Sequence, residues 1–178
     1  LTLMELPPEG VEAVIHTAGA LASLDRRQWP SLLEGRMIGL IFERPSTRTR
    51  VSFEVGVSHL GGHPVVLAGR DMQMGRGERI RDTALVLSRM LDAIVLRTGP
   101  HETIEELAEH ATVPVINSLT YGHHPCQGLA DVLTLRQRFG TTRHLRAAYV
   151  GDGNNCCLSL MVAGALCGMH VVAACPPG

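Results

Sequence analysis

The sequence predicts an α/β fold: a parallel doubly wound sheet, followed by the first β-α-β unit of a second α/β domain. Short β-type runs alternate with helical patterns along the 178 residues, the order that right-handed crossovers produce. Most of those runs are near-continuously apolar, as strands covered on both faces are. A turn cluster at Gly140, Thr141 and Thr142, between a long helical pattern and a fresh strand, divides the chain. Residues 1–142 form one domain that includes a linking helix, and 143–178 open another.

In order along the chain, a helix over Pro8 to Leu24 precedes the first strand, Met37 to Phe42. Pro45 marks a turn, and Ser46 is placed as the N-cap of a helix reaching Leu60, with Val51, Phe53, Val55 and Val57 as its apolar residues. A strand over Pro64 to Ala68 leads through a Gly-containing loop to a helix over Ile80 to Leu91, expected to bury Leu85, Leu87 and Met90 in the core or a subunit contact. Strand Ala93 to Leu96, helix His101 to His110 and strand Val113 to Ile116 follow. Pro125 opens a helix ending at Phe139. Strand Ala147 to Val150, helix Asn155 to Gly168 and strand His170 to Ala174 complete the pattern.

Composition bounds what such a chain does. With 45% hydrophobic and 19% charged residues it buries a core and is not a disordered tail. Lys is absent, and the formal charge is only −1, which argues against a general nucleic-acid binder. Aromatic residues at 3% supply no stacking surface for single strands either. Cys126, Cys156, Cys157, Cys167 and Cys175 form no CxxC pair and no secreted-type framework, so a reducing compartment, the cytoplasm, is expected. No apolar run is long enough to span a bilayer, and the first residues lack the pattern of a secretory signal, so no membrane partner is expected. The chain starts at Leu1 without Met and stops after an apolar run, so further residues are expected beyond both ends, and an upstream transit sequence stays open.

The densest chemistry lies in FERPSTRTRVSFEVG, residues 42 to 56, where Arg44, Arg48 and Arg50 stand among the hydroxyls of Ser46, Thr47 and Thr49. The first turn of a helix carries unbonded N–H groups and the positive end of the helix dipole. Guanidinium forks match phosphate oxygens two at a time. A well-capped helix with solvated arginines is the plain alternative. So many donors in one turn after a buried strand favour a phosphate site.

Three motifs, STRTR at Ser46 to Arg50, HPCQ at His124 to Gln127 and GDGNN at Gly151 to Asn155, resemble the ornithine branch of the aspartate/ornithine carbamoyltransferases in order and spacing. The resemblance runs from about Leu33 to Gly178, and DTALVLSRMLDAIVLRT and VPVINSLT continue it between the motifs. Aspartate carbamoyltransferases carry Thr where this sequence has Cys126 and do not usually read GDGNN. The resemblance implies transfer of the carbamoyl group from carbamoyl phosphate to the δ-amine of ornithine, giving citrulline and phosphate in arginine metabolism.

By matching positions, the resemblance assigns Ser46, Thr47, Arg48 and Thr49 to the phosphate and Arg97 to both phosphate and carbonyl oxygen. His124 joins Arg97 and Thr49 as a donor to the carbonyl oxygen, and Gln127 holds the carbamoyl amide. Donors fixed around an oxygen that gains charge stabilise the transition state more than the ground state. Gln73, in the loop DMQMGRGERIRDT over residues 71 to 83, would reach the phosphate of a neighbouring subunit, so a trimer or a multiple of trimers is implied. Some family members have Lys at the position of Gly77 in that loop, so a direct charge from there is not carried over. Asn155 would contact the amino-acid end of ornithine, with Asp152 and Asn154 shaping its turn.

No cofactor is expected. Cys126 is read as a packing residue, because an amine that attacks directly needs no covalent intermediate. His123, His124 and Cys126 are too close along the chain to chelate a metal well, so no metal is expected. AAYVGDGNNC invites a dinucleotide site, yet Cys156 stands where the third glycine belongs and no acidic residue follows the next strand. The family's later ornithine loops, one with Asp and Ser-Met-Gly and one with His-Cys-Leu-Pro, have no counterpart in these residues, so this chain alone is expected to be inactive. Two alternatives stay open: a carbamoyltransferase with another amine or amino-acid acceptor, and a carbamoyl-phosphate-binding fragment that does not catalyse.

Overall fold

A computed structural model describes residues 1–74 and 77–177. The chain packs as two compact units, Leu1 with Asp25–Thr120, and Thr2–Leu24 with Tyr121–Gly178. The boundary read at Gly140 to Thr142 from its turn residues falls inside the second of these units.

The first unit is a four-stranded, all-parallel sheet in the order β2-β1-β3-β4. Its strands are β1 (Met37–Phe42), β2 (His63–Ala68), β3 (Ala93–Arg97) and β4 (Val115–Leu119), and its helices α2 (Thr47–His59), α3 (Ile80–Leu87) and α4 (His101–His110). The central strands are buried on both faces, as their apolar runs predict. From β1, Ile38, Leu40 and Phe42 cluster with Val57 of α2 and Val95 of β3. Ile41 points the other way, into a cluster with Ile94, Leu96, Ala84 of α3, and Ile104 and Leu107 of α4. Each such fully buried Leu or Ile contributes about 1.5–3 kcal/mol. Gly39 completes the packing, because a Cβ there would lie 2.5 Å from Cδ1 of Leu91.

Three elements depart most from the sequence reading, in bounds or in burial. β4 starts and ends later than Val113 to Ile116 and takes in Asn117 and Ser118, which an apolar-run criterion leaves out. Both are buried. Burial is tolerated because Ser118 Oγ donates to the Leu96 carbonyl at 3.1 Å and Asn117 Nδ2 to the Leu1 carbonyl at 3.0 Å. α3 ends at Leu87 rather than Leu91, where Arg89 and Met90 close tight three-residue turns onto Val86 and Leu87. Its buried residues are Thr83 and Ala84, while Leu85 and Met90 are exposed. In α2 only Val57 is fully buried; Val51 and Val55 face solvent. Phe53 and Val57, four residues apart, form the stripe that meets the sheet.

The second unit holds α1 (Pro8–Ala22), α5 (Pro125–Phe139), β5 (Arg146–Val150), α6 (Asn155–Leu166) and β6 (His170–Ala174). β5 and β6 pair in parallel, with Arg146 opposite His170. Their burial alternates, with Val150 and Val172 exposed, unlike the double-sided burial of β1 and β3. The core joins Val11 and Ile15 of α1, Val132 of α5 and Ala163 of α6. Arg136 bonds Glu12 at 2.8 Å beside it. α5 and α6 approach so closely at Gly128 that a Cβ there would lie 2.6 Å from the Ser159 carbonyl oxygen. None of the described helices is long and apolar enough to cross a membrane.

Candidate active site

In a parallel sheet all strands end on one edge, and there the first unit gathers its polar groups. Phe42, the last residue of β1, is in register with Ala68 of β2 and Arg97 of β3. The chain then turns through residues 43–46 into α2. Ser46 occupies the N-cap position with extended backbone (φ −157°), but its hydroxyl makes no capping bond. That corrects part of the sequence reading: Ser46 marks the helix start without closing it. The first-turn N–H groups are therefore not spent on this side chain. Ser46 and Thr49 are half-buried, and Thr47 and Arg48 exposed. Arg50 turns along the helix to Glu54 at 2.6 Å, a pair that is solvent-exposed and worth only a few tenths of a kcal/mol.

Arg97 is half-buried at the end of β3. Its Nε is buried and has no hydrogen-bond partner among the described residues. Burial first, and then the positive charge of Arg44, pull Arg97 below the usual arginine range. It stays protonated at neutral pH all the same. A desolvated guanidinium with an unused donor beside a second cation is stabilised by an anion. A groove of about 660 Å³ opens along this edge, lined by Phe42, Glu43, Ser46, Thr47, Arg50 and Arg70 among others. Arg44, counted in the sequence with the cluster of donors but given no contact of its own, belongs to this edge, and so does Arg70, which the sequence reading left out. Arg70 lies two residues past the end of β2, and an eye on the ends of neighbouring parallel strands would have found it.

Gln73 is exposed in the loop before α3, where its carbonyl accepts the Glu78 N–H at 3.4 Å. Neither Gln73 nor Arg48, Thr49 or Arg97 lines the groove, which takes in Ser46 and Thr47 of the predicted residues. Gly75 and Arg76 of the same loop lie outside the described residues.

In the second unit His124 stands at the N-cap of α5, with Pro125 as the first helical residue. His124 is buried, and its backbone N–H donates to Ser159 Oγ of α6 at 2.8 Å. Three residues on, Gln127 Nε2 donates to Asp131 Oδ1 at 2.9 Å. Cys126 lies between them, and burial pushes its thiol up to about 11. A thiol held protonated at neutral pH suits packing and not nucleophilic attack. Asn154 caps α6 by accepting from the N–H groups of Cys156 at 3.0 Å and Cys157 at 3.2 Å, which leaves Asn155 as the first helical residue, half-buried. Among the described residues, no cluster of three His, Cys, Asp or Glu side chains is placed to hold a metal ion.

Comparison with known proteins agrees with this layout. The profile of the aspartate/ornithine carbamoyltransferase carbamoyl-P binding domain matches residues 1–137. The chain belongs to the aspartate/ornithine carbamoyltransferase family. An ornithine carbamoyltransferase of Halalkalibacterium halodurans is 52% identical over the whole of this chain, which covers 56% of that protein. The structure of the Pyrococcus furiosus ornithine carbamoyltransferase superposes with a TM-score of 0.94 at 47% identity, covering 98% of this chain and 56% of the other. The Thermus thermophilus ornithine carbamoyltransferase gives 0.92 at 41% identity, with 99% and 61% covered. The chain thus spans about half the length of the relatives it matches. The likeness also takes in residues 1–32, ahead of the stretch in which the motifs are found.

Proposed function

We propose that this chain carries the carbamoyl phosphate site of an ornithine carbamoyltransferase, which moves the carbamoyl group to the δ-amine of L-ornithine and releases L-citrulline and phosphate. The observation that supports it most is the buried Nε of Arg97, without a partner among the described residues, in register with Phe42, after which the chain turns through residues 43–46 into α2. Residues 1–142 then bind carbamoyl phosphate, and 143–178 open the ornithine-binding domain.

In this reading Ser46, Thr47, Arg48 and Thr49 hold the phosphate through hydroxyls, helix N–H groups and a guanidinium fork. Arg97 lies between the phosphate and the carbonyl oxygen. The δ-amine nitrogen attacks the carbonyl carbon, and the carbonyl oxygen takes up negative charge, which Arg97, Thr49 and His124 stabilise. The bond from carbon to the phosphate oxygen then breaks, phosphate leaves and the amine gives up its proton. Gln127 orients the carbamoyl amide, and Asn155 the amino-acid end of ornithine. Gln73 serves a neighbouring subunit, which makes a trimer, or a multiple of trimers, part of the site. The protein works in the cytoplasm, in arginine metabolism.

The test is a citrulline assay on the complete protein with carbamoyl phosphate and ornithine, with other amino acids as competing acceptors. Citrulline formation is expected. Carbamoyl phosphate binding with no product from any acceptor would contradict the enzymatic reading and leave a binding module.

A further inference from the structure

Glu43 is the residue after β1, and it has no place among the groups assigned above to carbamoyl phosphate. A carboxylate on a cationic, anion-binding edge works against the ligand unless it is directed elsewhere. Here three strand ends converge on it. Its backbone N–H donates to the Arg97 carbonyl at 3.0 Å. Its carboxylate accepts the hydroxyl of Thr98. Gly69, the residue after β2, lies so close that a Cβ there would come within 2.8 Å of the Glu43 Cα.

Thr98 is wholly buried, and its own N–H donates to the Leu119 carbonyl of β4 at 3.1 Å. Its hydroxyl is thus presented in a fixed direction, and Glu43 satisfies it. Glu43 consequently bonds both the Arg97 carbonyl oxygen and the side chain of the next residue. Three residues further on, the same turn carries Ser46 into α2.

We propose that Glu43 is a positioning residue which, through Thr98, fixes the Arg97 strand end against the Ser46–Thr49 turn and so sets the span across which carbamoyl phosphate is held. The inference rests on the assignment of Arg97 to carbamoyl phosphate. Misplacement by about an ångström is enough to cost a reaction up to about a hundredfold.

The experiment uses the complete protein and reads KM for carbamoyl phosphate separately from KM for ornithine. Thr98→Val, which keeps the shape and removes the hydroxyl, and Glu43→Ala are each expected to raise KM for carbamoyl phosphate at least about tenfold, with KM for ornithine nearly unchanged. The double variant is expected to be no worse than the poorer single one, because both remove one bond. Thr98→Ser is expected to restore the parent value. Glu43→Asp is one methylene short of Thr98 and, being exposed, folds even if Thr98→Val does not; the same rise is expected. Unchanged KM for carbamoyl phosphate in Glu43→Asp, or additive losses in the double variant, would overturn the proposal. Arg97→Ala, measured alongside, separates the two failures. A large loss there with silent Glu43 variants sinks only the positioning role, and a silent Arg97→Ala sinks the assignment beneath it.

Discussion

The two edges of the four-stranded sheet treat charge in opposite ways. At the edge where the strands begin, Asp92 accepts from Arg36 at 2.7 Å and from the Met37 backbone N–H at 2.8 Å. Its carboxyl is held below the usual range by the Met37 N–H first and the Arg36 guanidinium second. At the edge where they end, Arg97 keeps a buried donor with no partner among the described residues and feels the charge of Arg44, and the helix start that follows β1 is not closed by Ser46. One edge settles its charge within the fold, and the other keeps the Arg97 Nε without a partner among the described residues. Stability and binding should therefore be separable by mutating one edge or the other.

The largest effect expected is that of Arg97→Ala. Removing a donor aimed at developing charge should lower turnover in the complete protein at least about a hundredfold. The thermal midpoint should hardly fall, since no bond within the fold is lost. Arg48→Ala comes next, weakening carbamoyl phosphate binding by about 1.5–3 kcal/mol, the scale of a charged hydrogen bond. Unchanged affinity in the folded variant would remove Arg48 from the site.

Asp92→Asn tests the other edge and should leave turnover intact. Because the folded-state pKa of Asp92 is depressed, its contribution is present above the unfolded value near 3.8 and is lost as pH falls through the folded one. Unfolding midpoints followed into acid should show a shallower decline in Asp92→Asn than in the parent. An identical acid profile would mean that Asp92 does not anchor this edge. The smallest effect expected is that of Cys126→Ala. With its thiol near 11, Cys126 is protonated at neutral pH, so turnover should be nearly unchanged and alkylation slow compared with the exposed Cys175.

Much of the fold was legible in the sequence, because apolar runs and turn residues act over a few positions, whereas the Asp92 edge was not read there. β1 and β6 match their expected bounds, and so do α4 and α5. The start of α2 was marked by Pro45 and Ser46. What was hidden depends on contacts far apart in sequence. Asn117 and Ser118 belong to β4 only because distant carbonyls accept their donors. Leu85 and Met90 read as core or subunit contact, and within this chain they are exposed while Thr83 and Ala84 are buried. For the candidate site, the clustered Ser46–Thr49 turn spoke for itself, whereas Arg97, His124 and Gln73 were picked out by resemblance. Glu43 gave no signal, since its partner Thr98 lies 55 positions away.

The most direct measurement is a calorimetric titration of the complete protein and of its Arg97→Ala variant with carbamoyl phosphate, together with the unfolding midpoint of each. The account predicts binding by the parent, a large loss of affinity in the variant, and midpoints that nearly coincide. Equal affinities, or a variant that loses stability while still binding, would show that the strand-end edge is part of the scaffold and that the anion site lies elsewhere.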